Sequence, residues 1–175
     1  GSVRLALADA DHVLSSVPPG NEGRGEPLDP VLDRYGDAIA TLSLSYLSST
    51  GVYGDTGGAW VDESAPTGTG RRTARSEADA QWLARGARVW RLPGIYGPGR
   101  SMLDRVREGR AHRIDLPGQV FSRIHVEDIA SGVIAGLGGP PGAYNLADDL
   151  SCCQNLLVEE ACRLLGLQPP PLLPL

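Results

Sequence analysis

Short apolar runs alternate with stretches of helical periodicity along this chain, and that alternation limits its fold more than any other feature. One run, at residues 10–17, is stopped by Pro18-Pro19-Gly20; a second, at 45–49, is led in by Leu42 and Leu44; a third, at 88–92, is broken by Pro93-Gly94. Apolar spacing predicts helices over 31–40, 73–85, 126–137 and 155–166, with a short one around Met102, Leu103 and Val106. Within 73–85, Ala74, Ala78, Trp82 and Leu83 share a face, and Gly166 suits a helix C-cap. Residues 21–30 and 51–70 read as loops, and 169–175 as an extended, frayed tail. Such alternation gives an α/β fold with a mainly parallel sheet flanked by helices. Ligands of these sheets gather at the carboxyl ends of the strands. The exits at 15–19, 48–50 and 93–96 are rich in glycine, proline and hydroxyl side chains, as a close-fitting pocket requires.

Composition removes several function classes. A net charge of −5 and a pI near 5.1 leave no basic surface for nucleic acid. No apolar stretch reaches the roughly 20 residues that span a bilayer. Cys152, Cys153 and Cys162 lack zinc-type spacing, and His12 and His112 have no partners at metal spacing. Three reduced, structural thiols point to a cytoplasmic protein. Gly1-Ser2 reads as an appended dipeptide rather than a native start.

Three motifs carry a more specific message. They are Ser48-Ser49-Thr50-Gly51-Val52-Tyr53-Gly54, Pro93-Gly94-Ile95-Tyr96-Gly97-Pro98-Gly99 and Arg123-Ile124-His125-Val126-Glu127-Asp128-Ile129-Ala130. Together, and in this order, they resemble the extended short-chain dehydrogenase/reductase family, also called the NAD-dependent epimerase/dehydratase family. The likeness covers about residues 11–166. It implies a Rossmann-like fold that binds NAD or NADP, read here without its first βαβ unit and its Gly-x-Gly-x-x-Gly fingerprint. The partial dinucleotide-binding portion spans 1–100, and a small C-terminal substrate-side portion spans 101–175. The family pattern is joined partway, so a fragment of a longer protein, or a strongly reduced relative, is expected.

The resemblance also assigns candidate residues. Ser49 stands at the catalytic Ser/Thr position, where a hydroxyl stabilises charge on a substrate oxygen. Ser15, Ser16, Val17 and Pro18 would border the adenosine half of the cofactor; Ser48 would face its ribose, and Pro93, Gly94 and Ile95 would flank the nicotinamide. Tyr96, Arg100 and Arg123 are the substrate-binding candidates. The diphosphate-binding arginine of nucleotide-sugar enzymes stands two places before Arg123, where this chain has Phe121. For Ser48, Ser49 and Thr50 the competing reading is a polar strand end that satisfies its own backbone. For His125 it is a packed histidine, and for Asp128 a helix N-cap. The vicinal Cys152-Cys153 pair reads as ordinary packing, because the sequence places nothing beside it that stabilises a thiolate.

The family's working pair, Tyr-x-x-x-Lys, cannot exist here: the sixteen basic side chains are all arginine. Anchored on Glu77, the two positions fall on Thr69 and Thr73, with Arg71, Arg72 and Arg75 nearby. A threonine hydroxyl is too weak an acid, and arginine stays protonated. Tyr96 with Arg100, or Tyr53 alone, are the remaining tyrosine candidates. The expected function is an NAD(P)-binding oxidoreductase or epimerase relative with altered or weak catalysis. It acts on a small molecule, with nucleotide sugars the family precedent, and leaves room for a homodimer. The alternatives are a non-catalytic NAD(P)-sensing or scaffold module, or an inactive fragment.

Overall fold

The computed structural model describes residues 2–20, 29–69 and 73–175. Its main sheet holds β1 (His12–Ser15), β2 (Ser43–Ser49), β3 (Arg88–Leu92) and β7 (Gly142–Asn145), in the order β1-β2-β3-β7. Every pairing in it is parallel. Two short parallel pairs lie outside it: β4 (Gly94–Tyr96) with β6 (Arg123–His125), and β5 (Arg113–Ile114) with β8 (Leu172–Leu173). The helices are α1 (Ser2–Ala8), α2 (Pro30–Tyr35), α3 (Thr73–Ala84), α4 (Met102–Arg107), α5 (Val126–Gly136) and α6 (Gln154–Leu165). A 3-10 turn at Thr50–Tyr53 continues β2. The parallel sheet flanked by helices is the fold that the alternation predicts. Because β7 joins β3, the two halves of the chain share one sheet.

Each sheet face has its own core. On one, Tyr46 and Val89 meet Trp82 and Ala78 of α3, with Leu32 and Ile39 from the α2 side. The Tyr46 and Trp82 rings stack at 5.3 Å and 4°. Burying one such ring removes roughly 150–250 Å² from water, on the order of 4–6 kcal/mol. Asp29 ties α2 into this core. One carboxylate oxygen accepts from Val31 N and Leu32 N at the helix start, and the other accepts from Trp82 Nε1 at 3.0 Å. On the opposite face, Trp90 and Leu92 pack with Ile129 and Val133 of α5 and Ile124 of β6.

Four local expectations change. The helix expected over 31–40 ends at Tyr35, where Gly36 caps it and turns follow. The tail does not simply fray: Leu172 and Leu173 pair with Arg113 and Ile114, and Arg113 Nε donates to the Pro170 carbonyl at 2.8 Å. The N-cap of α5 is His125, whose ring accepts from Glu127 N, so Asp128 lies inside the first turn. A seven-residue helix, α1, forms where none was expected. Gly166, with φ of 67°, caps α6 as its position predicts.

Close packing of α5 on the sheet depends on Gly136. A Cβ there would lie 2.2 Å from Cη2 of Trp90, itself only 2% exposed. Gly136→Ala is expected to destabilise the fold by about 1–3 kcal/mol, read as a lowered midpoint in urea; an unchanged midpoint would show that α5 can move off the ring.

Candidate functional site

The carboxyl end of the sheet is organised by a buried polar network. Strand register places Ser48, Arg91 and Asn145 side by side across β2, β3 and β7. Asp79 reaches this row from α3. Its carboxylate accepts from Arg91 Nε at 3.1 Å and Nη2 at 2.8 Å, and from Ser48 Oγ at 2.7 Å. Arg91 Nη1 donates to the Tyr53 hydroxyl at 2.9 Å and to the Glu63 carbonyl at 3.3 Å. Tyr53 donates in turn to Asn145 Oδ1 at 2.8 Å, and Asn145 N donates to Glu63 Oε1 at 2.7 Å. Arg91 and Asp79 are almost fully buried, at 3% and 1% exposure. Burial alone would lower the Arg91 pKa, but the hydrogen bonds to Asp79 and Tyr53 raise it above its ordinary value. The guanidinium is therefore a fixed charge that holds the 3-10 turn and the following loop over the strand ends.

Adjacent serines take opposite roles. Ser48 faces the network, is buried, and has donated its proton to Asp79. Ser49, on the other sheet face and half-buried, accepts from Gly51 N at 3.1 Å. That bond uses an oxygen lone pair and holds Oγ in place; no acceptor takes the Ser49 proton among the described residues. Tyr53 has both its hydroxyl roles filled, so it holds no proton for a substrate. Thr69 donates to the Tyr53 carbonyl at 2.9 Å. Arg71 and Arg72 lie outside the described residues, as does the side chain of Thr73. Arg75 Nη1 donates to the Tyr46 hydroxyl at 2.7 Å. Glu77 is exposed, and the buried acid of α3 is Asp79, two residues on.

The remaining candidates are scattered around the same end. Ser15 is 4% exposed, and its hydroxyl has no hydrogen-bond partner among the described residues; Ser16, Val17 and Pro18 follow it at the surface. Pro93, between β3 and β4, and Ile95 of β4 are half-buried, and Gly94, the first residue of β4, is exposed. Arg100 is exposed, and Arg123 Nη1 donates to the Phe121 and Cys152 carbonyls and to Cys152 Sγ, at 3.2–3.3 Å. A cation thus stands beside Cys152, which the sequence did not reveal. No group of histidine, cysteine and carboxylate side chains fit for a metal occurs among the described residues, and no helix there is long and apolar enough to cross a membrane.

Beyond β4 and β6 a cleft of about 510 Å³ opens between α4 and α6. Tyr96 and His125, paired in register at the ends of these strands, meet edge to face at 5.2 Å on its wall. A hydrogen bond to the Asp148 carboxylate, with partial burial, raises the Tyr96 pKa above that of an ordinary phenol. A neutral, acid-tethered phenol is a poor general base at neutral pH.

No protein-family model matches the chain. Protein YeeZ of Escherichia coli K12 is 30% identical over 183 residues, covering 94% of this chain and 63% of that protein. The chain thus spans less than two thirds of the curated relative it matches. Among solved structures, a conserved protein of unknown function from Silicibacter pomeroyi is 43% identical, with a TM-score of 0.85, covering 96% of this chain and 62% of that one. A dTDP-glucose 4,6-dehydratase from Streptomyces venezuelae, solved with NAD bound, has a TM-score of 0.72 at 17% identity, covering all of this chain and 63% of the enzyme. The fold is the α/β Rossmann-like one of the NAD-dependent epimerases and dehydratases.

Two outcomes test the site's construction. Asp79→Leu strands the Arg91 charge and is expected to cost about 3–5 kcal/mol in urea unfolding, whereas Asp79→Leu combined with Arg91→Met recovers much of that loss. Asp148→Asn removes the negative charge that disfavours phenolate, so the tyrosine absorbance titration at 295 nm should shift to lower pH. An unchanged curve would separate Tyr96 from Asp148.

Proposed function

We propose that this chain is part of an NAD(P)-binding protein of the epimerase/dehydratase type, an oxidoreductase or epimerase relative whose catalysis runs without the family's tyrosine–lysine pair. One observation carries the reading: at the carboxyl ends of the strands the Ser49 hydroxyl, held through its oxygen by Gly51 N, donates to no acceptor among the described residues, while Ser48 is bound to Asp79. The partnerless, buried Ser15 hydroxyl at the end of β1 fits a polar ligand there. Ser15, Ser16, Val17 and Pro18 would hold the adenosine side, and Pro93, Gly94 and Ile95 the nicotinamide side. Ser48 would face the ribose through its remaining lone pairs, since its hydroxyl donates to Asp79. A bound nicotinamide supplies hydride transfer; the chain supplies a hydrogen-bond donor, Ser49, to a substrate oxygen. NAD is bound in similarly folded enzymes, which supports the same cofactor class.

The second reading is a cofactor sensor without turnover. It is favoured by the full commitment of Tyr53, and by Arg75 being bonded to Tyr46.

Fluorescence titration with NADH and NADPH tests the shared premise, and saturable binding of one of them is expected. If turnover is found, Ser49→Ala should lower kcat about 100-fold with cofactor affinity unchanged. Binding without turnover across a carbonyl and nucleotide-sugar panel selects the sensor, and no binding of either dinucleotide removes both readings.

A further inference from the structure

We propose that the cleft between α4 and α6 receives an uncharged small molecule with an apolar body and one hydrogen-bond-accepting oxygen, a ketone or the corresponding alcohol, rather than a diphosphate-linked sugar. The proposal gives the substrate class for the oxidoreductase reading and rests on it. At about 510 Å³ the cleft is within the size range of small-molecule sites. Its walls are largely hydrocarbon: Pro98, Met102 and Leu103 on one side, Leu157, Ala161 and Leu164 of α6 on the other.

One directed polar group breaks that surface. His125 Nδ1 accepts from Glu127 N at 3.3 Å, which places the ring proton on Nε2. Nε2 lies against Gly97, within 3.5 Å of where a Cβ would stand, and donates to no acceptor among the described residues. The N-cap of α5 therefore aims an N–H donor at whatever fills the cleft. Tyr96, beside it, has its hydroxyl bound to Asp148 and contributes ring surface.

Charge decides between ligand classes. No arginine lines the cleft, and its ionisable rim is Asp104 and Glu160. Asp104 accepts from Ser101 and Arg107, and Glu160 from Arg163, so neither needs a ligand cation. A diphosphate is favoured by the bidentate contacts that arginine makes. Arg123, on β6, lies outside the lining, and its Nη1 donates to the Phe121 and Cys152 carbonyls. An apolar ketone meets the walls with its body and His125 with its oxygen, and leaves no charge unpaired.

The test uses acetophenone, ethylbenzene and UDP as probes of the purified protein by saturation-transfer NMR, with NADH binding measured separately by fluorescence. Acetophenone is expected to bind and UDP to leave it undisplaced. Leu164→Glu, on a 60% exposed rim position that should fold normally, is expected to weaken acetophenone at least tenfold. His125→Phe is expected to weaken acetophenone but not ethylbenzene, which a merely structural role for His125 would not produce. Displacement of acetophenone by UDP, or acetophenone binding indifferent to both substitutions, overturns the proposal. NADH binding without acetophenone binding defeats the cleft alone; acetophenone binding without NADH or NADPH binding defeats the oxidoreductase reading and leaves the cleft a ligand site.

Discussion

The buried ion pair of Arg91 and Asp79 holds the functional end of this molecule together. Two charges taken from water in this way are costly, and their attraction offsets that cost only when the remaining donors and lone pairs are met. Here they are met. The planar fork of Arg91 gives two donors to Asp79, with a third to the Tyr53 hydroxyl and the Glu63 carbonyl, while Ser48 gives the carboxylate another. A lysine could occupy the space but could not reach these acceptors at once. One guanidinium thereby fixes α3, the 3-10 turn, the loop through Glu63 and three strands relative to one another. The shape of the carboxyl-end crescent follows from that fixation.

Much of this was legible in the sequence, and the reasons are physical. The spacing of Ala74, Ala78 and Trp82 places α3 correctly, because burial of one stripe fixes a helix more firmly than any local propensity. Strand β3 and helices α5 and α6 follow from the same kind of signal. Strands β4 to β8 were missed because each has four residues or fewer and no alternation to detect. Their identity comes from partners distant in the chain, such as Tyr96 with His125 or Ile114 with Leu173. Short parallel pairs leave almost no local trace.

The site was less legible, and Glu77 shows why. Spacing from a family motif singled it out, yet Glu77 is exposed and Asp79 carries the buried contact. A carboxylate's burial depends on what faces it from another element, and Arg91 lies twelve residues on, on a strand. Anchoring the motif on Asp79 moves the lysine position to Arg75, which is described and is bonded to Tyr46.

Strand alternation settles what chemistry is left. Successive side chains on β2 point to opposite faces, so two neighbouring serines of the same motif have unlike fates: Ser48 is consumed by the structural network, and Ser49 is held by Gly51 with its proton unspent. Both hydrogen-bonding roles of the Tyr53 hydroxyl are filled, Asp148 raises the Tyr96 pKa, and the chain has no lysine. What the strand ends offer is hydrogen-bond donation without a strong base. Donation stabilises charge on an oxygen but removes no proton from an alcohol.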